Sequence, residues 1–301
     1  MTSHLDLSAF PHVWDTIVSF ADAKALLALR ATSRSLSKAA DRRLVAHLST
    51  AGPYSIMCYA RHCISCISPH LKIDWDGTPS SISTLILRAA DPALGKIRVS
   101  IHNRAMRGCK ALDLLGPLPP PELALLASRV QPRTVRLSWP TYYKPFKLAS
   151  TEAALAALRP RTAIVNFTHI NHCISECGAH IVGRHMRTLT VPEVRRVVGR
   201  QRARGPYYTV RGARELVLIF LHPGEAHISL VHQYFSELAR LPRAVITLVG
   251  LETMVGDFDA AELAIGFAGV AEDHGSRFEI LSHAQYHFAV GTEQWAFELG
   301  P

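Results

Sequence analysis

The chain has 301 residues, 48% hydrophobic and 19% charged, a balance that supplies a core for one large domain or two modest ones and excludes chain-wide disorder. Lys and Arg outnumber Asp and Glu by 33 to 24, a net charge of +9 that favours anionic partners without specifying a fold. No apolar run reaches the roughly eighteen residues a membrane helix requires. Residues 1–7 lack the charged start and apolar core of a secretory signal. Six cysteines are too few for a disulfide scaffold. The chain therefore reads as cytoplasmic, nuclear or both, with no membrane partner.

Residues 10–48 read as three short helices. Pro11 sits where a missing N–H is harmless, and Val13, Trp14, Ile17 and Val18 recur at helical spacing. Asp22 caps a second helix built on residues 25–29, and Ser33 opens a third whose stripe is Leu36, Ala40, Leu44 and Leu48. About forty residues lie near the lower limit for an independent core, so support from a neighbour is expected.

The segment Phe10-Pro11-His12-Val13-Trp14-Asp15-Thr16-Ile17-Val18, followed by Ala25-Leu26-Leu27-Ala28-Leu29-Arg30-Ala31-Thr32-Ser33-Arg34-Ser35-Leu36, resembles an F-box over about forty of the 301 residues. The resemblance implies a helical hook that docks on the Skp-type adaptor of cullin-RING ubiquitin ligases, with Pro11, Val13, Ile17, Leu26, Leu27 and Leu29 in or beside that contact. It places an F-box-like module at residues 5–50 and a connecting segment at 51–70.

From residue 71 onward, apolar runs of strand length alternate with Ala/Leu-rich helical stretches, which points to an α/β region over 71–301. Strands are predicted at 71–75, 96–101, 110–115, 134–139, 162–167, 186–191, 215–220, 244–249 and 277–282. From 110 the starts fall 24, 28, 24, 29, 29 and 33 residues apart, near the period of leucine-rich repeats. Helices are predicted at 122–130, behind three prolines, and at 153–158, and Asp259 with Glu262 reads as a capping box. The consensus Asn of such repeats is missing. The expectation is an irregular leucine-rich-repeat-like α/β solenoid whose parallel strands line a concave, protein-binding surface. The order of an F-box and then irregular repeats is similar to that of fungal F-box-like proteins, and residues 281–298 look like their C-terminal ending.

No hydrolase, metalloprotease, phosphate-loop or dinucleotide motif occurs. No catalytic residue, cofactor or metal is assigned. Two Cys/His clusters (Cys58, His62, Cys63, Cys66 and His70; His169, His172, Cys173, Cys177 and His180) have ligand types suited to zinc but match no known finger, and buried thiols with solvated imidazoles are the better reading. The expectation is a non-enzymatic interaction protein: the substrate receptor of an SCF-type ubiquitin ligase, holding the Skp-type adaptor through its F-box and a protein substrate through its repeats. The alternative is a nucleic-acid-binding protein that uses the basic segment 184–214, with Arg195, Arg196, Arg200, Arg202 and Arg204 around Tyr207 and Tyr208.

Overall fold

The computed structural model describes residues 10–50, 71–76, 84–89, 98–101, 103–137, 148–167, 187–191, 194–201, 207–221 and 223–299. Three helices come first: α1 (Pro11–Phe20), α2 (Ala23–Arg30) and α3 (Arg34–Leu44). Each starts as its sequence dictates. Pro11 opens α1, the Asp22 carboxylate accepts from the Ala25 N–H at 2.7 Å, and the Ser33 hydroxyl accepts from the Leu36 N–H at 3.2 Å. Val18, Leu26, Leu36, Ala40 and Leu44 form their shared buried seam. Val18, Leu26, Ala40 and Leu44 of that seam are continuous with the core of the rest of the chain.

The third helix ends at Leu44 rather than running through Leu48, because residues 47–50 form a strand, β1 (His47–Thr50), inside the main sheet. Next come β2 (Leu71–Asp76), β3 (Thr84–Ala89), β4 (Arg98–Val99), α4 (Asn103–Met106), β5 (Ala111–Leu114), α5 (Pro120–Arg129), β6 (Thr134–Leu137), α6 (Leu148–Leu158) and β7 (Thr162–Asn166). The chain continues through β8 (Arg187–Thr190), β9 (Arg196–Gln201), β10 (Tyr208–Arg211), β11 (Glu215–Phe220), β12 (Gly224–Glu225), α7 (Ile228–Ala239), β13 (Val245–Val249) and β14 (Met254–Val255). It closes with α8 (Ala260–Gly266), α9 (Ala268–Asp273), β15 (Arg277–Leu281), α10 (His283–Val290) and α11 (Thr292–Leu299).

Eleven strands form one sheet in the order β15-β13-β11-β9-β7-β6-β5-β1-β2-β3-β4, parallel except where β3 meets β2 and β4. From β5 to β15 each strand lies beside the next main-sheet strand in the chain, so every crossover adds a strand to the same edge. The strand predicted at 186–191 is β8, which pairs with β10 outside the main sheet. Its place is taken by β9, which starts 34 residues after β7 and 19 before β11, so the spacing is less even than the sequence suggests.

Alternate strand residues sort the two faces. Leu112, Leu114, Val135, Leu137, Val165, Val197, Leu218, Phe220, Ile246 and Leu248 share one core with Leu126 of α5, Leu155 of α6, Phe235 of α7 and Ala264 of α8. On the opposite, inner face, Ile164, Val198, Val217, Ile219 and Val249 pack with Tyr286 of α10 and Trp295 of α11. Burial on both faces explains why these strands read as continuous apolar runs.

Gly250 sets the approach of α10. Its φ is +78°, and a Cβ there would lie 2.2 Å from Nε2 of His283, the first residue of α10. Gly250→Ala combines left-handed strain with that clash and is expected to cost about 1–3 kcal/mol, read by urea unfolding; an unchanged midpoint would contradict this packing. Glu122 is fully buried in the first turn of α5, neither carboxylate oxygen has a hydrogen-bond partner among the described residues, and burial pushes its carboxyl up to about 7. The folded state thus binds the proton more tightly than the unfolded chain, so stability falls as pH rises from about 4.5 to 7. Glu122→Gln is expected to raise Tm by about 3 °C at pH 8 and to leave it nearly unchanged at pH 4, by calorimetry.

Candidate interaction surfaces

The six residues expected at an adaptor contact fall into two layers. Pro11, Val13 and Ile17 are exposed on α1, and Leu27 and Leu29 are half-buried on α2. Leu26 is fully buried in the core beneath them and contributes support rather than contact area. Two residues outside that set extend the exposed apolar surface of α1: Phe10 is 56% and Phe20 87% accessible, against 43% for Val13 and for Ile17. Positions 10, 13, 17 and 20 follow helical spacing, so one side of α1 is an apolar stripe in solvent while Val18 faces the core. The spacing of Phe10 and Phe20 from Val13 and Ile17 was available in the sequence as the signal for this extension.

The basic segment behaves differently from a solvated loop. Arg195 is exposed, whereas Arg196 and Arg200 are strand residues of β9 on the inner face beneath α11. Arg196 donates through Nε to Glu215 at 2.7 Å, through Nη2 to the Tyr286 hydroxyl at 2.7 Å, and through Nη1 to Glu298. The Tyr286 hydroxyl donates to the other Glu298 oxygen at 2.6 Å. Burial works to lower Arg196, and the Glu298 carboxylate outweighs it, raising the guanidinium above its ordinary value. Arg200 donates to the Leu299 carbonyl at 2.7 Å; burial and then Arg136 push it down to about 10, so it remains charged at neutral pH. Arg196 and Arg200 are therefore engaged inside the chain, which removes them from the proposed nucleic-acid set. Arg202 and Arg204 lie outside the described residues.

A third arginine completes this arrangement. Arg136 of β6 makes a two-pronged contact with Asp113 of β5, with Nε 2.9 Å from Oδ1, and donates to the Phe297 carbonyl at 3.2 Å. Its guanidinium carbon also stands 5.2 Å from the Phe297 ring centroid. His47 Nε2 lies 3.0 Å from the second Asp113 oxygen. Burial works to raise Asp113, but His47 and Arg136 together overcome it and hold the carboxyl below its ordinary value. Arg136 and Arg200 thus meet carbonyls in the last turn of α11, where the helix dipole favours cations. The inner face, expected to be an open concave surface, is covered across its middle by the chain's own C-terminal helices.

Among the described residues, no group of three metal-ligating side chains assembles, and the one cysteine, Cys109, is buried, with its thiol pushed up to about 12 by burial. Both Cys/His clusters lie outside the described residues. Comparison of the chain with protein-family models, with curated proteins and with solved structures returns no match.

Asp113 anchors the Arg136 guanidinium and lies beside His47 at 3% exposure. Asp113→Ala is expected to cost about 3–5 kcal/mol by leaving Arg136 buried and unpaired, while Asp113→Ala with Arg136→Met recovers most of the loss, measured by chemical denaturation. A double variant as unstable as Asp113→Ala alone would contradict an unpaired buried charge as the cause of the loss.

Proposed function

We propose that this chain is a protein-interaction adaptor, the substrate receptor of an SCF-type cullin-RING ubiquitin ligase. In this reading α1–α3 are an F-box-like module that docks the Skp-type adaptor, and the parallel strands with their helices are a leucine-rich-repeat-like solenoid that binds a protein substrate. The observation that carries it is the apolar stripe of Phe10, Val13, Ile17 and Phe20, exposed on a helix whose other side is anchored in the core. Such a stripe fits helix-in-groove docking, where a few anchors supply most of the affinity. The F-box resemblance of residues 10–36 supplies the partner, and the addition of successive strands at one edge supports the solenoid. No covalent step falls to this chain: it would raise the concentration of a substrate near the ligase.

The exposed positions allow a test that spares the core. Val13→Asp with Ile17→Asp is expected to abolish co-purification of the full-length protein with a Skp-type adaptor, a loss of at least about tenfold in affinity, while leaving the unfolding free energy within about 0.5 kcal/mol of wild type. Absence of binding by the folded wild type would overturn the ligase reading.

A further inference from the structure

Lys110, Arg133, Arg161, Arg195 and Arg214 each occupy the position immediately before a main-sheet strand, namely β5, β6, β7, β9 and β11. Backbone hydrogen bonds place them in one transverse row. The Thr134 N–H donates to the Lys110 carbonyl at 2.9 Å, Arg161 to Arg133 at 2.8 Å, Arg195 to Arg161 at 3.1 Å and Arg214 to Arg195 at 3.0 Å. The next two strands continue the series with a small offset: Arg243 lies two residues before β13, and Arg277 is the first residue of β15. All seven side chains are exposed, and none is in an ion pair among the described residues.

Lys and Arg make up 33 of 301 residues, about one position in nine, so five strands in succession with a cation at the same register is a pattern rather than a consequence of composition. At a strand separation of about 4.8 Å the seven positions span about 29 Å. Like charges at that spacing repel one another, and among the described residues none of the seven is offset by an ion pair. Four of the seven, Arg195, Arg214, Arg243 and Arg277, also line an open groove of about 870 Å³ together with Glu215 and Glu279. Glu215 is engaged by Arg196, and Glu279 accepts from Thr247 at 3.1 Å, so the groove presents a surplus of guanidinium donors.

We propose that this basic rim is the substrate-docking surface of the receptor and takes an extended protein segment rich in Asp and Glu. The inference rests on the receptor reading above and adds to it the chemical class of the substrate. Guanidinium forks match carboxylates in geometry as well as charge. An extended chain at about 3.3 Å per residue covers the row with about nine residues. A single-stranded nucleic acid fits less well: among the described residues no aromatic side chain lines the groove for base stacking, and the two groove carboxylates oppose a phosphate backbone.

The test uses the full-length protein and anisotropy of a labelled peptide of about nine residues alternating Glu and Ser, with a labelled single-stranded RNA and a Lys/Ser peptide in parallel arms. The acidic peptide is expected to bind at 50 mM salt and to weaken at least about fivefold at 200 mM as charges are screened. Arg195→Glu, Arg214→Glu and Arg243→Glu together are expected to lower its affinity at least tenfold, and the corresponding glutamine variants to lower it less while keeping the fold if charge reversal does not. The Val13→Asp, Ile17→Asp variant is expected to keep full peptide binding while losing the adaptor, which separates failure of this inference from failure of the ligase reading. No peptide binding at 50 mM salt, binding unchanged in folded rim variants, or RNA binding at least tenfold tighter than the peptide would each overturn the proposal.

Discussion

A parallel sheet carries no polar face for water, so both of its sides have to be covered, and this chain meets that requirement in two different ways. Helices from the crossovers cover one side, because each connection between parallel strands has to pass over the same face to add a strand at the same edge. The middle of the other side is covered by the chain's last helices, α10 and α11. Apolar contact supplies the middle of that interface through Val198, Val217 and Ile219. Its ends are polar: Arg136, Arg196 and Arg200 reach across from strands and hold Phe297, Glu298 and Leu299. A helix end leaves carbonyls unpaired, and guanidinium groups supply fixed donors, so these contacts fix where α11 stops as well as that it docks. The buried charges fix position more than they add stability, since desolvation offsets much of an ion pair's attraction.

The same residue type serves two purposes according to register. Arg195 and Arg196 are neighbours in sequence, yet one stands exposed on the rim and the other is locked to Glu215, Glu298 and Tyr286. Along a strand a step of one residue reverses the side-chain direction. A basic segment read only by composition merges these roles, whereas the start of β9 separates them. The net charge of +9 is thus distributed unevenly, with paired arginines beneath α11 and unpaired ones along the strand starts.

Much of the architecture was legible because the strands are strongly apolar. Residues 215–220 and 277–281 lie where the apolar runs place them, and the prolines at 119–121 open α5 as expected. What escaped was set by tertiary context. His47–Thr50 carries too few residues to register as a strand next to a helical stripe, and it forms one only because β2 and β5 flank it. Arg196–Gln201 carries three polar side chains that mask its strand character, since Arg196, Arg200 and Gln201 find their partners far away in sequence. The reciprocal capping box predicted at Asp259 and Glu262 is a one-way cap, in which Asp259 accepts from Ala261 and Glu262; the complete box is Ser282 with Gln285. The basic rim also had a local signal, a cation one residue ahead of successive apolar runs, as in Pro132-Arg133-Thr134-Val135 and Pro160-Arg161-Thr162-Ala163. It becomes a row only once the strands are known to be adjacent.

Covering the inner face by α11 has a consequence for where recognition takes place. The middle of the inner strand face is committed internally by contacts that include the buried Arg136 and Arg200 and the half-buried Arg196. Two exposed surfaces stand out among the described residues. One is the side of α1 that carries Phe10, Val13, Ile17 and Phe20; the other is the row of strand starts, whose cations make no ion pair among the described residues. These two surfaces differ in chemistry, one apolar and insensitive to salt, the other cationic and strongly screened. They also sit on different elements, the apolar one on α1 and the cationic one along the starts of the strands from β5 to β15.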